Sequence, residues 1–89
     1  MEPSPVVALN RAVAVAMHTG FAQGIALIDE LLTLPAIQDY HLAHAARADL
    51  CRRLQRWDEA RTSYQAALAR VQLEPERRFL QRRMAEVAS

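Results

Sequence analysis

Prolines and glycines divide this chain into short segments that each carry helical periodicity. Pro5 and Pro75 stand where a helix can begin, Pro35 stands where a helix must end, and Gly20 separates the first two segments. Within each segment, apolar residues recur at three- and four-residue spacing, which is typical of one face of an α-helix. The spacing predicts five helices, over residues 5–19, 22–34, 40–54, 57–71 and 75–87.

The links between these helices indicate how they pack. The first helix is separated from the second, and the third from the fourth, by only two residues, which is too short for anything but a tight antiparallel turn. The second pair starts about 35 residues after the first, close to the ~34-residue helix–turn–helix unit of the tetratricopeptide repeat. We predict an all-α fold with two antiparallel hairpins in a tetratricopeptide-like right-handed superhelix. The fifth helix caps it.

The second hairpin fits this repeat better than the first. An aromatic residue is followed at three, seven and ten residues by alanine, tyrosine and alanine: Trp57, Ala60, Tyr64 and Ala67. Small residues at such positions let helices touch, and the aromatic ring fills the gap between neighbours. Gln55 or Arg56 stands where the repeat usually has glycine, and the first hairpin has Gly24 or Ile25 where alanine is usual. Two units and a cap fall short of the usual three, so we expect residues 1–89 to be one domain and a fragment of a longer protein.

Composition narrows the class of protein. The chain is 52% hydrophobic and 24% charged, which is too apolar for a disordered segment. No apolar run reaches the ~20 residues that span a membrane, and the first residues lack the basic segment of a secretory signal. Cys51 is the single cysteine, which favours a reducing compartment. We therefore expect a cytoplasmic protein with no membrane partner.

Arginine supplies all the basic side chains, and ten of the 11 lie from Arg47 onward. Four of them lie on the fifth helix: Arg77, Arg78, Arg82 and Arg83. Phe79 and Leu80 are expected to anchor this helix, with the arginines projecting outward. One interpretation is a solvated cap whose arginines pair with neighbouring glutamates; the other is a docking surface for an acidic protein.

The first helix of each hairpin supplies further candidates, because such helices line the concave face of stacked repeats. These are Asn10, His44 and Arg47. Structural interpretations stand beside them: Asn10 could bond to the second helix, His41 and His44 to neighbouring helices, and Arg47 and Asp49 each to another helix.

Residues that could support metal binding or catalysis are few. His41 and His44 are one turn apart, but no third ligand with helical geometry accompanies them, so we expect neither a metal nor another cofactor. The sequence also lacks a nucleophile beside a base, a phosphate-binding glycine loop and paired carboxylates. We do not expect an enzyme.

Three blocks of the sequence resemble a known family: residues 4–14 (SPVVALNRAVA), residues 40–50 (YHLAHAARADL) and residues 76–83 (ERRFLQRR). In this order they are similar to the C-terminal extension of a group of bacterial extracytoplasmic-function (ECF) sigma factors, a tetratricopeptide-like domain that follows two promoter-reading domains.

The resemblance implies a domain that regulates sigma-dependent transcription initiation through protein contacts. Its partners would be RNA polymerase or the sigma factor's own promoter-binding domains, with DNA reached only through the rest of the parent protein. The alternative is a generic tetratricopeptide-type scaffold that binds a partner peptide in its concave groove.

Overall fold

Helices account for nearly all of the chain that the structure, a computed structural model, describes. It describes residues 4–88 and the side chains of residues 4–87. Residues 4–88 form six helices and no strand: α1 (Pro5–His18), α2 (Phe21–Leu31), α3 (Pro35–Gln38), α4 (His41–Arg53), α5 (Trp57–Arg70) and α6 (Glu74–Ala88). The predicted all-α fold is confirmed. Residues 1–3, which entered the argument about a secretory signal, lie outside the described residues.

The start of α1 follows the sequence signals. Ser4 is the N-cap, its Oγ accepts a hydrogen bond from the Val7 N–H at 3.3 Å, and Pro5 occupies the first helical position. Gly20, by contrast, does not end α1 as a left-handed cap. Thr19 is the C-cap in a right-handed conformation, and Gly20 is the N-cap of α2 at φ 150° and ψ 151°. Because glycine tolerates that conformation, the chain reverses within two residues.

The second predicted helix is too long by three residues. α2 ends at Leu31, and Pro35, which was expected only to stop it, begins the short helix α3. Proline cannot continue a helix, but its missing N–H costs nothing in the first turn of the next one. The predicted connector of residues 36–39 is therefore largely helical. Asp39 does not cap α4, whose N-cap is Tyr40 without a side-chain hydrogen bond.

The two hairpins repeat at one constant offset. α4 starts 36 residues after α1 (41 − 5), and α5 starts 36 residues after α2 (57 − 21). Residues at this offset are buried in both units: Ala12 with Ala48, Gly24 with Ala60, and Ile28 with Tyr64. Gly24, rather than Ile25, thus takes the alanine position of the first hairpin. Its added Cβ would lie 2.4 Å from the Cβ of Ala16, so α1 and α2 are in close contact there.

α5 organises the C-terminal half. Its interface with α4 is the most extensive of the fold, and α6 folds back onto α5 after the link of residues 71–73. Because α4 and α6 are each antiparallel to α5, they run parallel to each other. The fully buried ring of Tyr64 belongs to α5.

Two large apolar side chains of α4 and α6 are exposed, and one of them, Phe79, was expected to anchor the fifth helix. Leu42 on α4 is 42% exposed and Phe79 on α6 is 47% exposed. The buried residues of α4 are Ala43, Ala48, Leu50 and Cys51. The apolar residues of α4 cover a wider part of the helix surface than the part that packs against α2 and α5. Leu42 lies at the edge of this apolar surface and therefore stays exposed to solvent.

The turn between α4 and α5 carries a strained residue. Gln55 has φ 61° and is the only non-glycine with positive φ among the described residues. It stands where the repeat usually has glycine, and a residue with a Cβ pays roughly 1 kcal/mol to adopt this conformation. The tight turn is therefore imposed by the pairing of α4 with α5.

Replacement of Gly24 by alanine tests the close contact of α1 with α2. Overpacking costs about 1–3 kcal/mol, and the higher helix propensity of alanine returns less than about 1 kcal/mol. We expect Gly24→Ala to lower the free energy of unfolding by about 1–2 kcal/mol, measured by urea denaturation followed by circular dichroism.

A paired substitution supplies the control. Ala16→Gly opens the space that the new methyl group needs, so the double variant Gly24→Ala/Ala16→Gly should recover part of the lost stability. A Gly24→Ala variant as stable as the parent chain would contradict the packing described.

Candidate functional site

The four arginines of α6 divide into two kinds. Arg78 and Arg82 are exposed; Arg78 lies 3.5 Å from Glu74. Arg77 instead donates from Nη2 to the carbonyl of Val71 at 3.2 Å, which satisfies a carbonyl at the end of α5. Arg77 therefore holds α6 to α5, whereas Arg78 and Arg82 are open to a partner.

Arg83 lies on the edge of this exposed face. Its Nη1 is 3.1 Å from Glu86 Oε2, and its guanidinium stacks over the Phe79 ring at 5.3 Å from the ring centre. A cation over an aromatic face is favourable by about 0.5–1 kcal/mol at exposed sites. Phe79 and Arg83 thus form one exposed unit that is both apolar and basic.

The anchor of α6 differs from the prediction. Leu80 and Val87, each 3% exposed, hold α6 to the core, and Phe79 does not. Arg61 adds a polar tie, because its Nη1 donates to the Val87 carbonyl at 2.7 Å. Phe79 is therefore available to a ligand without loss of the helix anchor.

An apolar groove lies between α4 and α6, with a volume of about 290 Å³. We call it the α4–α6 groove; it is lined by His41, Leu42, Ala45, Pro75, Glu76, Phe79 and Leu80. Its polar groups satisfy each other, since Glu76 Oε2 accepts a hydrogen bond from His41 Nε2 at 2.5 Å. Leu42 and Phe79 on its walls remain 42% and 47% exposed, although the Arg83 guanidinium stacks over the Phe79 ring.

Further along the same two helices the surface is charged. Arg52 Nη2 donates to Asp49 Oδ1 at 2.6 Å, and Arg53 Nε donates to Asp49 Oδ2 at 2.9 Å. Burial works against the charged carboxylate, but the two hydrogen-bonded arginines lower the pKa of Asp49 below its ordinary value. Asp49 therefore pairs within α4 and not with another helix, contrary to the sequence prediction.

Tyr64 lies beneath this charged surface. Burial raises the pKa of its hydroxyl, while the positive charges of Arg52 and Arg83 act in the opposite direction. Among the described residues the buried hydroxyl has no hydrogen-bond partner of good geometry.

Arg47 joins three helices. Its Nε donates to Asp29 of α2 at 2.6 Å, its Nη1 to Ser63 of α5 at 2.8 Å, and its Nη2 to Glu59 of α5 at 3.1 Å. Burial disfavours the charged guanidinium, yet the hydrogen bond and charge of Asp29 raise the pKa of Arg47. Arg47 is fully engaged inside the fold and is not free to bind a ligand.

Of the other two candidates, His44 is bonded within the fold and Asn10 is exposed. His44 donates from Nε2 to the carbonyl of Gln38, at 2.8 Å, and Arg70 Nε donates to the same oxygen at 2.7 Å. His41 and His44 therefore bond to neighbouring helices, as the structural interpretation predicted. Asn10 is exposed on α1, and no hydrogen bond of its side chain occurs within residues 4–87.

The described residues do not include a cluster of side chains that could bind a metal ion. Within the described residues, no three His, Cys, Asp or Glu side chains converge as metal ligands would. Cys51 is fully buried, and burial raises the pKa of its thiol. Throughout residues 4–88, none of the helices combines the length and the apolar character needed to cross a lipid bilayer.

Leu42 and Pro75 are groove residues that the sequence analysis did not single out. A signal for Leu42 exists in the repeat itself, because the equivalent residue 36 positions earlier, Val6, is also exposed. Pro75 lines the groove only because α6 packs beside α4, and the spacing of apolar residues within α6 does not specify that position.

Comparison with known proteins adds one relative. An uncharacterized protein of Rhizobium meliloti (strain 1021) is 39% identical over 69 residues, which are 78% of this chain and 16% of that protein. The chain thus spans less than a fifth of the length of the relative it matches. No protein-family model matches the chain, and no solved structure matches it.

Arg47→Ala should destabilise the fold rather than a complex. The variant removes three hydrogen bonds and leaves the buried Ser63 hydroxyl without its donor, so we expect the free energy of unfolding to fall by about 2 kcal/mol in urea denaturation. The control is Arg11→Ala, an exposed arginine without a described partner, with an expected change below about 0.5 kcal/mol. Equal stability of both variants would show that the Arg47 bonds contribute nothing.

Asp49 makes stability depend on acid pH. The pKa of Asp49 in the folded state lies below its unfolded value of about 4. At a pH between these two pKa values, the unfolded chain therefore binds more protons than the folded chain. The contribution is fully present above the unfolded pKa and is lost as pH falls through the folded pKa. Asp49→Asn should be less stable at pH 7 and show a shallower loss of melting temperature below about pH 5. An unchanged acid slope would rule out this role.

Proposed function

We propose that this chain is a regulatory interaction domain of a bacterial ECF sigma factor and modulates sigma-dependent transcription initiation. Two observations support the proposal. Residues 4–14, 40–50 and 76–83 resemble the C-terminal extension of such sigma factors and occur in the same order. Residues 40–50 and 76–83 also contribute to the α4–α6 groove and its basic border.

The observation that carries the proposal is the division of the arginines. Arg47, Arg61, Arg70 and Arg77 bond to residues of other helices or links and hold the fold together. Arg78 and Arg82 are not needed for packing, yet they occupy the resembling block of α6. Basic side chains that the fold does not use are suited to bind an acidic protein surface.

RNA polymerase or the sigma factor's own promoter-binding domains are the partners in this proposal. DNA is reached only through the rest of the parent protein, because the net charge of this chain is +1 and the basic face includes the carboxylates Glu74 and Glu86. Nucleic-acid interfaces are much more positively charged.

Charge removal on α6 tests the proposal in the parent protein. Arg78→Gln/Arg82→Gln should lower activity from a cognate promoter about tenfold, which corresponds to about 1.4 kcal/mol of lost binding. Both side chains are exposed, so the melting temperature of the chain should stay within about 2 °C. Activity is measured with a promoter–reporter fusion.

The matched control is Arg11→Gln/Arg56→Gln, which removes the same charge from two exposed arginines outside α6. It should leave reporter activity unchanged. An equal loss in both double variants would point to overall charge, and no loss in either would contradict the proposed role of α6.

A second candidate function is a general scaffold that binds a partner peptide in its concave groove. The observation in its favour is the α4–α6 groove, whose apolar walls at Leu42 and Phe79 are exposed. It differs from the leading proposal in its partner, since it predicts peptide binding without any effect on transcription. Of the residues first assigned to that groove, Arg47 and His44 are occupied inside the fold.

A further inference from the structure

We propose that the α4–α6 groove binds an acidic amphipathic segment of a partner protein in one direction. An apolar side chain of the segment lies between Leu42 and Phe79, and its carboxylates lie over the arginines toward the C-terminal ends of α4 and α6. The inference rests on the proposed function in one respect, that α6 faces a protein, and it deepens that function by naming the chemistry of the partner.

The N-terminal half of the groove selects apolar side chains. Leu42 and Phe79 form opposite walls, each more than 40% exposed, and the groove has room for a leucine or phenylalanine side chain. The one polar pair, His41 with Glu76, is satisfied internally at 2.5 Å. A polar ligand group placed here would lose its water without gaining a hydrogen bond, which is unfavourable.

The surface toward the C-terminal ends of α4 and α6 favours carboxylates of the bound segment. α4 and α6 run parallel, so residues 49–53, in which Arg53 stacks over Phe21 of α2, and residues 82–86 lie further along the two helices, toward their C-terminal ends. They contribute four arginines and two carboxylates, an excess of two positive charges (4 − 2): Arg52, Arg53, Arg82 and Arg83, with Asp49 and Glu86.

The order of these halves gives the site a direction. Arg82 and Arg83 follow Phe79 by three and four residues, so they flank it one helical turn along the same face of α6. Arg83 already stacks on the Phe79 ring, which joins the apolar and the basic parts of the surface. A ligand with an apolar end and an acidic end satisfies both halves in only one orientation.

The surface is better suited to a protein segment than to nucleic acid. Asp49 and Glu86 lie among the arginines and would repel phosphates, and the apolar half offers nothing to a sugar–phosphate backbone. Carboxylates spaced along a helix can instead pair with individual arginines and avoid the two acidic positions.

Synthetic peptides and the complete 89-residue chain test the inference. The probe is a short fluorescein-labelled peptide with leucine and phenylalanine one helical turn apart near one end and a run of glutamates near the other. Fluorescence anisotropy should show saturable binding that weakens as salt rises. A peptide with glutamine in place of glutamate, and one with the acidic and apolar ends exchanged, should each bind at least about tenfold more weakly.

Variants of the chain locate the binding. Phe79→Ser should weaken binding of the acidic peptide at least about tenfold, and Arg82→Gln/Arg83→Gln should remove most of the salt dependence of binding. The controls are Val7→Ser and Arg11→Gln, an exposed apolar residue and an exposed arginine of α1. They should bind like the parent chain. If Phe79→Ser unfolds, Leu42→Ser on the opposite wall and the peptide pair on the unmodified chain still decide the result.

Several outcomes would overturn the inference: equal binding of the glutamate and glutamine peptides, equal binding of the two orientations, competition by duplex DNA that exceeds competition by unlabelled peptide, or a dimer of the chain that blocks the groove in sedimentation. These outcomes are separable from the proposed function. Loss of reporter activity on charge removal without peptide binding defeats only the inference, whereas peptide binding without any effect on transcription defeats only the sigma-factor proposal.

Discussion

The first hairpin depends on backbone and methyl groups that touch. Gly24 on α2 leaves no room for a side chain because Ala16 of α1 already occupies that space, and the equivalent residue in the second hairpin is the buried Ala60. Close helix packing of this kind yields many weak van der Waals contacts from small residues. A short, alanine-rich chain can therefore form a defined core although few large side chains are fully buried.

Hydrogen bonds from arginine side chains also hold the helices around this core together. Arg47 connects α4 to α2 and α5, Arg61 connects α5 to the end of α6, and Arg70 connects α5 to α3. The planar guanidinium can bond to several partners at once, so one side chain fixes the relative position of two or three helices. Several arginines of the basic half of the sequence thus have a structural task, whereas Arg78 and Arg82 on α6 are exposed.

The position of α5 links packing to the candidate site. α5 pairs with both α4 and α6, so these two parallel helices lie next to each other without direct close packing, and the His41–Glu76 hydrogen bond joins them. The groove between them follows from this spacing. Its walls are the apolar residues at the edges of each helix arc, Leu42 and Phe79, and its border carries the cations that the core does not use.

The sequence by itself determined the helical class, the two hairpins and their near-constant period, because apolar spacing and the proline and glycine positions are local properties. It also determined that a helix begins at Pro5. It could not determine that Pro35 starts a helix, that Phe79 is exposed, or that Arg47 and Arg77 are structural while Arg78 and Arg82 are exposed. Those outcomes depend on which face of each helix meets a neighbour, and only the tertiary structure brings residues so distant in sequence together.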